Sequence, residues 1–200
     1  MPRILLASSS VYRRRLLERL GVAFEVVDPA TDETPHAGED AAALVARLAE
    51  AKARRGAAIA ADALVIGADQ VAVLDGEIVT KPGNAAANRR QLERAAGRRL
   101  EFFTGLCLLS APSGRVQTEV IPSAVHFRPL SDAQIAAYVE RERAFDCAGG
   151  FRCEGLGTAL FERFEGPDPS ALTGLPLLAL TRMLANEGVD VLLETVAAET

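Results

Sequence analysis

Two polar residues, Asp69 and Gln70, stand side by side in an otherwise largely apolar stretch of the chain, GADQVAVLDGEIVTKP. The apolar run 63–67 before them is typical of a buried strand, and the run after them leads into an Asp-Gly turn that favours a hairpin. We therefore expect Asp69 at a strand end, where small neighbouring residues leave room for a ligand. The alternative is a structural role, in which Asp69 caps the turn between two strands.

A second group of chemically competent residues lies near the start of the chain, in LASSSVYRRR. A strand, a serine-rich turn and a helix N-terminus in succession form an anion site, because free backbone N–H groups and the helix dipole favour negative charge. Ser8 adds a hydroxyl and Arg13 a guanidinium. The pattern predicts a phosphate site, with a capped surface helix and solvated arginines as the alternative.

Carboxylates suited to a divalent cation occur at Asp69 and in the loop that carries Asp28, Asp32 and Glu33. Carboxylate oxygens are natural ligands of Mg²⁺ and Mn²⁺, which also bind substrate phosphates. Each loop acid, taken alone, is equally well explained as a surface residue. Two further candidates, Lys52 and Lys81, are the only lysines in a chain rich in arginine, and lysine acts as a compact point charge on phosphate.

Composition excludes several classes of function. The net charge of -5 argues against binding to a nucleic-acid polymer, which favours a basic face. The sequence has no apolar run long enough to span a membrane, and its start does not resemble a secretory signal, so we expect a cytoplasmic protein. Three cysteines without CxxC spacing and two distant histidines argue against a zinc site and a Ser-His-Asp triad.

The elements that must position these residues alternate along the chain. The patterns predict strands at 3–7 and 22–27, a loop at 28–40, helices near 11–20, 41–60, 84–96, 132–143 and 174–187, two long antiparallel strands around APSG, short strands within the Gly-rich span 145–164, and a final short strand. This order predicts one α/β domain over residues 1–200, built on a mixed, partly antiparallel sheet flanked by helices.

Taken together, these stretches resemble the Maf family of nucleoside triphosphate pyrophosphatases over about residues 3–190. The resemblance is carried by LASSSVYRRRLLERLG, TDETP, ALVARLAEAKA, GADQVAVLDGEIVTKP and GLPLLAL. It implies an ITPase-like fold and a divalent metal, Mg²⁺ or Mn²⁺. It also implies hydrolysis of the bond between the α and β phosphates, which releases diphosphate, and removal of modified nucleotides as a purpose.

The resemblance also assigns roles by position. Asp69 matches the general base, and Glu33, together with Asp69, matches the metal-binding carboxylates. The residues that match the triphosphate site are Ser8, Arg13, Lys52 and Lys81. Two positions depart from the family pattern, with Val11 where proline is usual and Thr80 where glycine often precedes Lys-Pro. Whether Asp69 removes a proton from water or mainly binds metal and polarises water stays open.

Three residues resemble the branch of the family that acts on 7-methyl-GTP: Tyr12, Gln70 and Glu154. Other branches usually have Arg and Thr at the first two positions and a different residue at the third. Methylation at N7 makes guanine cationic, and a tyrosine face attracts a cation. Glu154 can accept hydrogen bonds from the guanine edge, and Gln70 offers both a donor and an acceptor. The alternatives are a Tyr12 packed on its helix and a Glu154 at the surface.

Two other functions remain as alternatives. The first is a pyrophosphatase of the same family that acts on dTTP or UTP, and the second is a non-enzymatic regulator of cell division that binds nucleotide or a protein partner. The expected partner is a small nucleotide, with no nucleic-acid polymer and no membrane. The resemblance leaves a homodimer open.

Overall fold

A computed structural model describes residues 2–193 of this chain and contains a seven-stranded mixed sheet. The strands are β1 (Arg3–Ala7), β2 (Glu25–Val27), β3 (Ala63–Leu74), β4 (Glu77–Val79), β5 (Arg99–Ser110), β6 (Val116–Phe127) and β7 (Phe161–Glu165). The α-helices are α1 (Val11–Glu18), α2 (Ala41–Ile59), α3 (Ala85–Ala95), α4 (Asp132–Glu142) and α5 (Leu177–Asn186).

β3 is the strand around which the sheet is organised. The strand order is β2-β1-β3-β5-β6-β7, with β1 parallel to both neighbours and β5 antiparallel to β3 along almost its whole length. On the opposite edge, β3 pairs with β1 as far as Gly67 and with β4 only from Ala72 onward. Residues 68–71 therefore lie on an edge that neither β1 nor β4 covers, and this interval is where the sheet opens.

Helices pack on both faces of the sheet, and α2 approaches its face unusually closely. It lies over β3 and β5 at Gly67 and Gly105. A Cβ at Gly67 would stand 2.7 Å from the Ala53 nitrogen, and one at Gly105 would stand 2.5 Å from the Val45 carbonyl carbon. Larger residues at these two positions would hold the helix away from the strands, so the glycines bring α2 side chains to the level of the strand side chains.

The predicted α/β class and mixed sheet are confirmed, as are the helix at 41–60 and the Asp-Gly hairpin turn. Asp75 and Gly76 have φ values of 52° and 83°, the left-handed conformation that a type I′ turn requires. The serine-rich turn and Ser131 begin α1 and α4 as predicted, with Ser10 as the N-cap of α1.

Three details of the predicted elements are wrong, and a fourth falls partly outside the described residues. No strand ends at Asp69, because β5 pairs with β3 on both sides of that residue and keeps it extended to Leu74. The second strand covers only Glu25–Val27 of the predicted 22–27, and the span 145–164 forms mainly short 3-10 turns before β7. Residues 189–193 form no strand, and the rest of the predicted final strand lies outside the described residues.

Candidate active site

A cleft of about 790 Å³ opens beside the uncovered interval of β3. It is lined by every residue to which the sequence analysis assigned a site role: Ser8, Tyr12, Arg13, Glu33, Lys52, Asp69, Gln70, Lys81 and Glu154. Asp28 also lines the cleft, whereas Asp32 does not. The Asp32 carboxylate accepts hydrogen bonds from the backbone and hydroxyl of Thr34, which lower its pKa, so this acid stabilises a turn of the loop.

Lys52 and Asp69 form a buried ion pair at the centre of the cleft. The Lys52 Nζ donates to Asp69 Oδ1 at 2.6 Å, and the two side chains are only 6% and 10% exposed. Their meeting follows from the backbone, because Gly67 and Asp69 lie on the same face of β3 and α2 rests directly on that face. The sequence placed these residues on separate elements, and the close packing of α2 brings them into contact.

Glu33 brings a second carboxylate to the same ammonium group. Its Oε1 forms an ion pair with Lys52, although 59% of the Glu33 side chain is exposed. Burial alone would raise the pKa of the Glu33 carboxyl, but the Lys52 ammonium, with smaller contributions from Lys81 and Arg13, holds this pKa below 4.5. Glu33 and Asp69 thus share one cation between two carboxylates.

The N-terminus of α1 forms one end of the cleft. The Ser10 Oγ accepts from the Arg13 backbone nitrogen at 3.4 Å, and the Ser8 Oγ accepts from the Ser10 nitrogen at 3.2 Å. Arg13 folds back so that its Nη1 reaches Ser8 Oγ at 3.4 Å. Burial lowers the pKa of the Arg13 guanidinium, and the charges of Asp69 and Glu33 oppose that effect. The arrangement collects a hydroxyl, a guanidinium and a helix N-terminus, which together suit an anion.

Arg13 and Gln70 are both held by one short segment, the 3-10 turn Pro169–Thr173 and the glycine after it. The Arg13 Nε donates to the Gly174 carbonyl at 2.9 Å. The Gln70 Nε2 donates to the Ala171 and Leu172 carbonyl oxygens at 2.7 and 3.2 Å and to Thr104 Oγ1 at 3.1 Å. The amide protons of Gln70 therefore form hydrogen bonds within the protein, and its side-chain carbonyl oxygen is the group that can bind a ligand.

A buried carboxylate, Asp168, fixes that segment. Its Oδ1 accepts from the backbone and hydroxyl of Ser170 at 3.0 and 2.6 Å, and its Oδ2 accepts from the Leu178 nitrogen at 2.8 Å. The Ser170 Oγ in turn accepts from the Leu177 nitrogen at 2.7 Å. These bonds cap α5, whose N-cap Pro176 has no capping side chain, and they anchor the carbonyl groups that orient Arg13 and Gln70.

Beside the first turn of α1, where Tyr12 precedes Arg13, the cleft contains a group that the sequence analysis missed. The Arg152 guanidinium lies over the Tyr12 ring, with Cζ 5.9 Å from the ring centroid, and its Nη2 lies 3.1 Å from Asp146 Oδ1. The Tyr12 hydroxyl donates to Asp146 Oδ2 at 3.5 Å. Burial, assisted by the neighbouring Cys147, raises the pKa of Tyr12 to about 12. A signal was present in the sequence, since Arg152 is the only basic residue in the Gly-rich stretch 145–157.

The remaining two site residues lie at the rim of the cleft. Lys81 is exposed and follows β4, and the preceding carbonyl of Thr80 accepts from Gln91 Nε2 at 2.7 Å. Glu154 is exposed as well, with its Oε2 3.4 Å from the Cys153 sulfur. Both side chains face solvent where a ligand would enter.

The donor set fits a divalent cation that is shared with a phosphate ligand. Within residues 2–193, no cluster of three or more His, Cys, Asp or Glu side chains forms a metal-binding cage. Two carboxylates, Asp69 and Glu33, already converge on a cation, the Lys52 ammonium. Mg²⁺ is commonly held by one or two carboxylates, with phosphate oxygens and waters completing its coordination.

In residues 2–193, the helices are all too short or too polar to span a lipid bilayer.

Comparison with known proteins gives a family and a fold. Residues 3–187 match the family described as Maf-like protein. A protein of Thiobacillus denitrificans named 7-methyl-GTP pyrophosphatase is 53% identical over 191 residues, which cover 96% of this chain and 95% of that protein. The structure of the Staphylococcus aureus Ham1 protein is similar with a TM-score of 0.52 at 15% identity, over 92% of this chain and 99% of that one. This structural likeness supports the fold alone.

Proposed function

Because this chain belongs to the family of Maf-like proteins, we propose that it is a nucleoside triphosphate pyrophosphatase that converts 7-methyl-GTP to 7-methyl-GMP and diphosphate. The observation that carries the proposal is the convergence, in one cleft, of the buried Lys52–Asp69 pair, the anion site at α1 and the aromatic end at Tyr12. Such an activity would remove a modified nucleotide from the cellular pool.

The triphosphate would lie between the N-terminus of α1 and the lysines. The Ser8 hydroxyl and the free N–H groups of the first turn would donate to phosphate oxygens, and Arg13 would contribute charge. Lys81, exposed at the rim, would meet the phosphates that lie farthest from the buried pair. These groups act on charge that grows on the leaving diphosphate as the bond breaks, so they assist the reaction as well as binding.

Asp69 would act on the attacking water. One carboxylate oxygen, Oδ1, is held by Lys52 at 2.6 Å, which orients the carboxylate toward the cleft. Water attacks the α phosphorus, and Asp69 accepts a proton from this water. The bond between the α phosphorus and the bridging oxygen breaks, and diphosphate leaves with the electron pair. Glu33 forms an ion pair with the same Lys52 ammonium and so helps to hold Lys52 in position beside Asp69.

Asp69 and Glu33 are also the residues that would hold Mg²⁺ or Mn²⁺ together with the phosphate oxygens. When bound there, a divalent cation supplies neutralisation of phosphate charge and acidifies coordinated water. We propose this metal dependence on the basis of the two converging carboxylates.

The base would lie between Tyr12 and the segment 146–154, which meet through Arg152 and Asp146. A 7-methylguanine ring carries a positive charge, which an aromatic face attracts and which Glu154 at the rim would complement. Gln70 would present its carbonyl oxygen to the base edge, since its amide protons are bonded to the protein. Tyr12, Gln70 and Glu154 are thus the specificity residues of the proposal.

The test is release of diphosphate from 7-methyl-GTP, GTP, dTTP, UTP and CTP, each with Mg²⁺, with Mn²⁺ and with a chelator. We expect strong preference for 7-methyl-GTP and no turnover with the chelator. Turnover of dTTP or UTP instead would retain the chemistry and overturn the base assignment. A folded, metal-loaded protein that hydrolyses none of the five would favour a regulator that binds nucleotide without cleaving it.

A further inference from the structure

The Tyr12 end of the cleft already binds a flat, delocalised cation, which is the guanidinium of Arg152. This group lies over the Tyr12 ring at 5.9 Å and pairs with Asp146 at 3.1 Å. A 7-methylguanine ring is also flat and positively charged, and it would require the same two partners: an aromatic face and a nearby carboxylate. The side chain and the base of the proposed substrate therefore suit the same place.

Arg152 is incompletely satisfied in that place. Its Nε is buried and has no hydrogen-bond partner within the described residues. Its Nη1 and Nη2 also donate to the backbone carbonyl oxygens of Glu142 and Arg143 at the end of α4, at 3.1 and 3.5 Å. These two bonds offer the guanidinium an attachment that does not depend on Tyr12. The contact with the ring is therefore one of several contacts of the guanidinium, beside those to Asp146 and to the two carbonyl groups.

We propose that Arg152 occupies the base site of the free enzyme and that its partner Asp146 makes this site accept a positively charged base in its place. The inference rests on the proposed function, and it assigns to Arg152 and Asp146 a role in base selection beyond that of Tyr12, Gln70 and Glu154. A neutral guanine that displaces Arg152 leaves Asp146 without a cation and the Tyr12 face without charge attraction. A 7-methylguanine restores both interactions, so only the methylated base replaces the contacts that are lost when Arg152 leaves.

The test measures binding of 7-methyl-GMP and GMP without metal, in the wild type and in the variants Arg152→Gln and Asp146→Asn. The emission of 7-methylguanine reports binding of 7-methyl-GMP without tryptophan background, because the chain contains no tryptophan, and GMP is measured by its displacement of 7-methyl-GMP. We expect Arg152→Gln to increase the affinity for 7-methyl-GMP at least fivefold, because the competing guanidinium is gone while Asp146 remains. We expect Asp146→Asn to lower the affinity for 7-methyl-GMP about tenfold and to change the affinity for GMP less than twofold.

The conservative variant Arg152→Lys separates competition from support of the fold. Lysine keeps the charge beside Asp146 but loses the planar stack on Tyr12, so its affinity for 7-methyl-GMP should fall between those of the wild type and Arg152→Gln. Unchanged or weaker binding of 7-methyl-GMP by a folded Arg152→Gln would overturn the inference. If Arg152→Gln does not fold, Asp146→Asn decides, and a loss of affinity shared equally by GMP overturns the inference.

Failure of the proposed function would look different. A wild-type protein that neither binds 7-methyl-GMP nor hydrolyses 7-methyl-GTP overturns both proposals. A wild-type protein that does both, combined with an Arg152→Gln variant that gains no affinity, overturns only the role of Arg152.

Discussion

At the scale of single residues, the Asp69 carboxylate is the group on which turnover should depend most. Replacement by Asn keeps its shape and an oxygen that accepts from Lys52, but removes the charge that would accept a proton or hold a metal. We expect Asp69→Asn to lower kcat by roughly 10² to 10⁴-fold, the usual contribution of a general base. Diphosphate release under saturating 7-methyl-GTP measures this effect.

The matched control for that variant is Asp62→Asn. Asp62 lies just before β3, with 72% of its side chain exposed and an ion pair to Arg3. Its replacement should leave kcat within twofold, and both variants should keep the wild-type circular dichroism spectrum. An Asp69→Asn enzyme with near-normal kcat would remove Asp69 from the mechanism.

Glu33 gives a prediction about pH. Its pKa is lower in the folded protein than the ordinary 4.5, so its contribution to stability is present above 4.5 and disappears as pH falls through the lowered pKa. We expect the wild type to melt higher than Glu33→Gln at pH 7, with the difference vanishing in acid. Because 59% of the side chain is exposed, the effect should stay below about 1 kcal/mol.

Thermal unfolding at pH values from 7 down to 3 measures that difference. Glu162→Gln, a change at an exposed surface carboxylate, serves as the control and should show no such trend. A melting difference for Glu33→Gln that is constant across the whole pH range would contradict the ion pair with Lys52.

Residue types were the part of the site that sequence could predict. Asp69, Lys52 and the serine-rich turn carry their chemistry in their identity, and all of them line the cleft. Arg152 was missed because its importance depends on a contact with Tyr12, 140 positions earlier in the chain, and its isolation as the one basic residue of 145–157 does not reveal that contact. Gln70 was predicted as a site residue, but its hydrogen bonds were not, because its amide group donates to carbonyl groups more than 100 positions away.

At the scale of elements, the contact between α2 and the sheet decides whether Lys52 reaches Asp69. A Cβ at Gly67 would stand 2.7 Å from the Ala53 nitrogen and closer still to the Ala49 carbonyl oxygen, and backbone atoms of a helix cannot move aside singly. We expect Gly67→Ala to destabilise the protein by about 3 kcal/mol or more and to reduce kcat, because α2 must shift and carry Lys52 with it. Chemical denaturation and steady-state kinetics measure the two effects.

Gly38→Ala is the comparison for that variant. Gly38 has φ near 76° and no atom within 4 Å of an added Cβ, so alanine there costs only local backbone strain, on the order of 1–2 kcal/mol. Its kcat should stay near that of the wild type. If Gly67→Ala proved as mild as Gly38→Ala, the close approach of α2 would not be what positions Lys52.

The elements themselves were largely predictable, and the error at β3 is informative. Small residues and a polar pair in the middle of an apolar run indicated a strand end, but β5 pairs with β3 throughout and keeps it extended. What ends near Asp69 is the neighbouring strand, β1, at Ala7. The point at which β1 stops pairing depends on β1, so it cannot be predicted from the sequence of β3 itself.

At the scale of the whole molecule, the cleft separates two parts of the core. One apolar cluster surrounds α1 and α5, and another lies beneath α3 and α4 and includes Phe102 and Phe151, which reach the cleft wall. A complete nucleotide would contact both sides, with its phosphates at α1 and its base near the turn at 146–154. A phosphate chain alone would contact only the first side.

Hydrogen exchange measured by mass spectrometry tests this division. We expect a non-hydrolysable 7-methyl-GTP analogue to slow exchange both at residues 8–14 and at residues 145–155, and tripolyphosphate to slow it only at residues 8–14. At a hundredfold excess over Kd, the analogue should add about 2.7 kcal/mol to the free energy of unfolding. Equal protection patterns for the two ligands would contradict the assignment of the phosphates to α1 and of the base to the segment 145–155.

The uncovered interval of β3 also bears on how the substrate specificity of such an enzyme can change. Asp69 and Gln70 are consecutive residues of a strand, so their side chains project to opposite faces while both line the cleft. One peptide unit, held by pairing to β5, therefore sets the spacing between Asp69, the proposed catalytic group, and Gln70, the proposed base-contacting group. If these roles hold, a substitution at Gln70 would change the base that is bound while Asp69 keeps its position, so this strand is a starting point for engineering pyrophosphatases that act on other nucleotides.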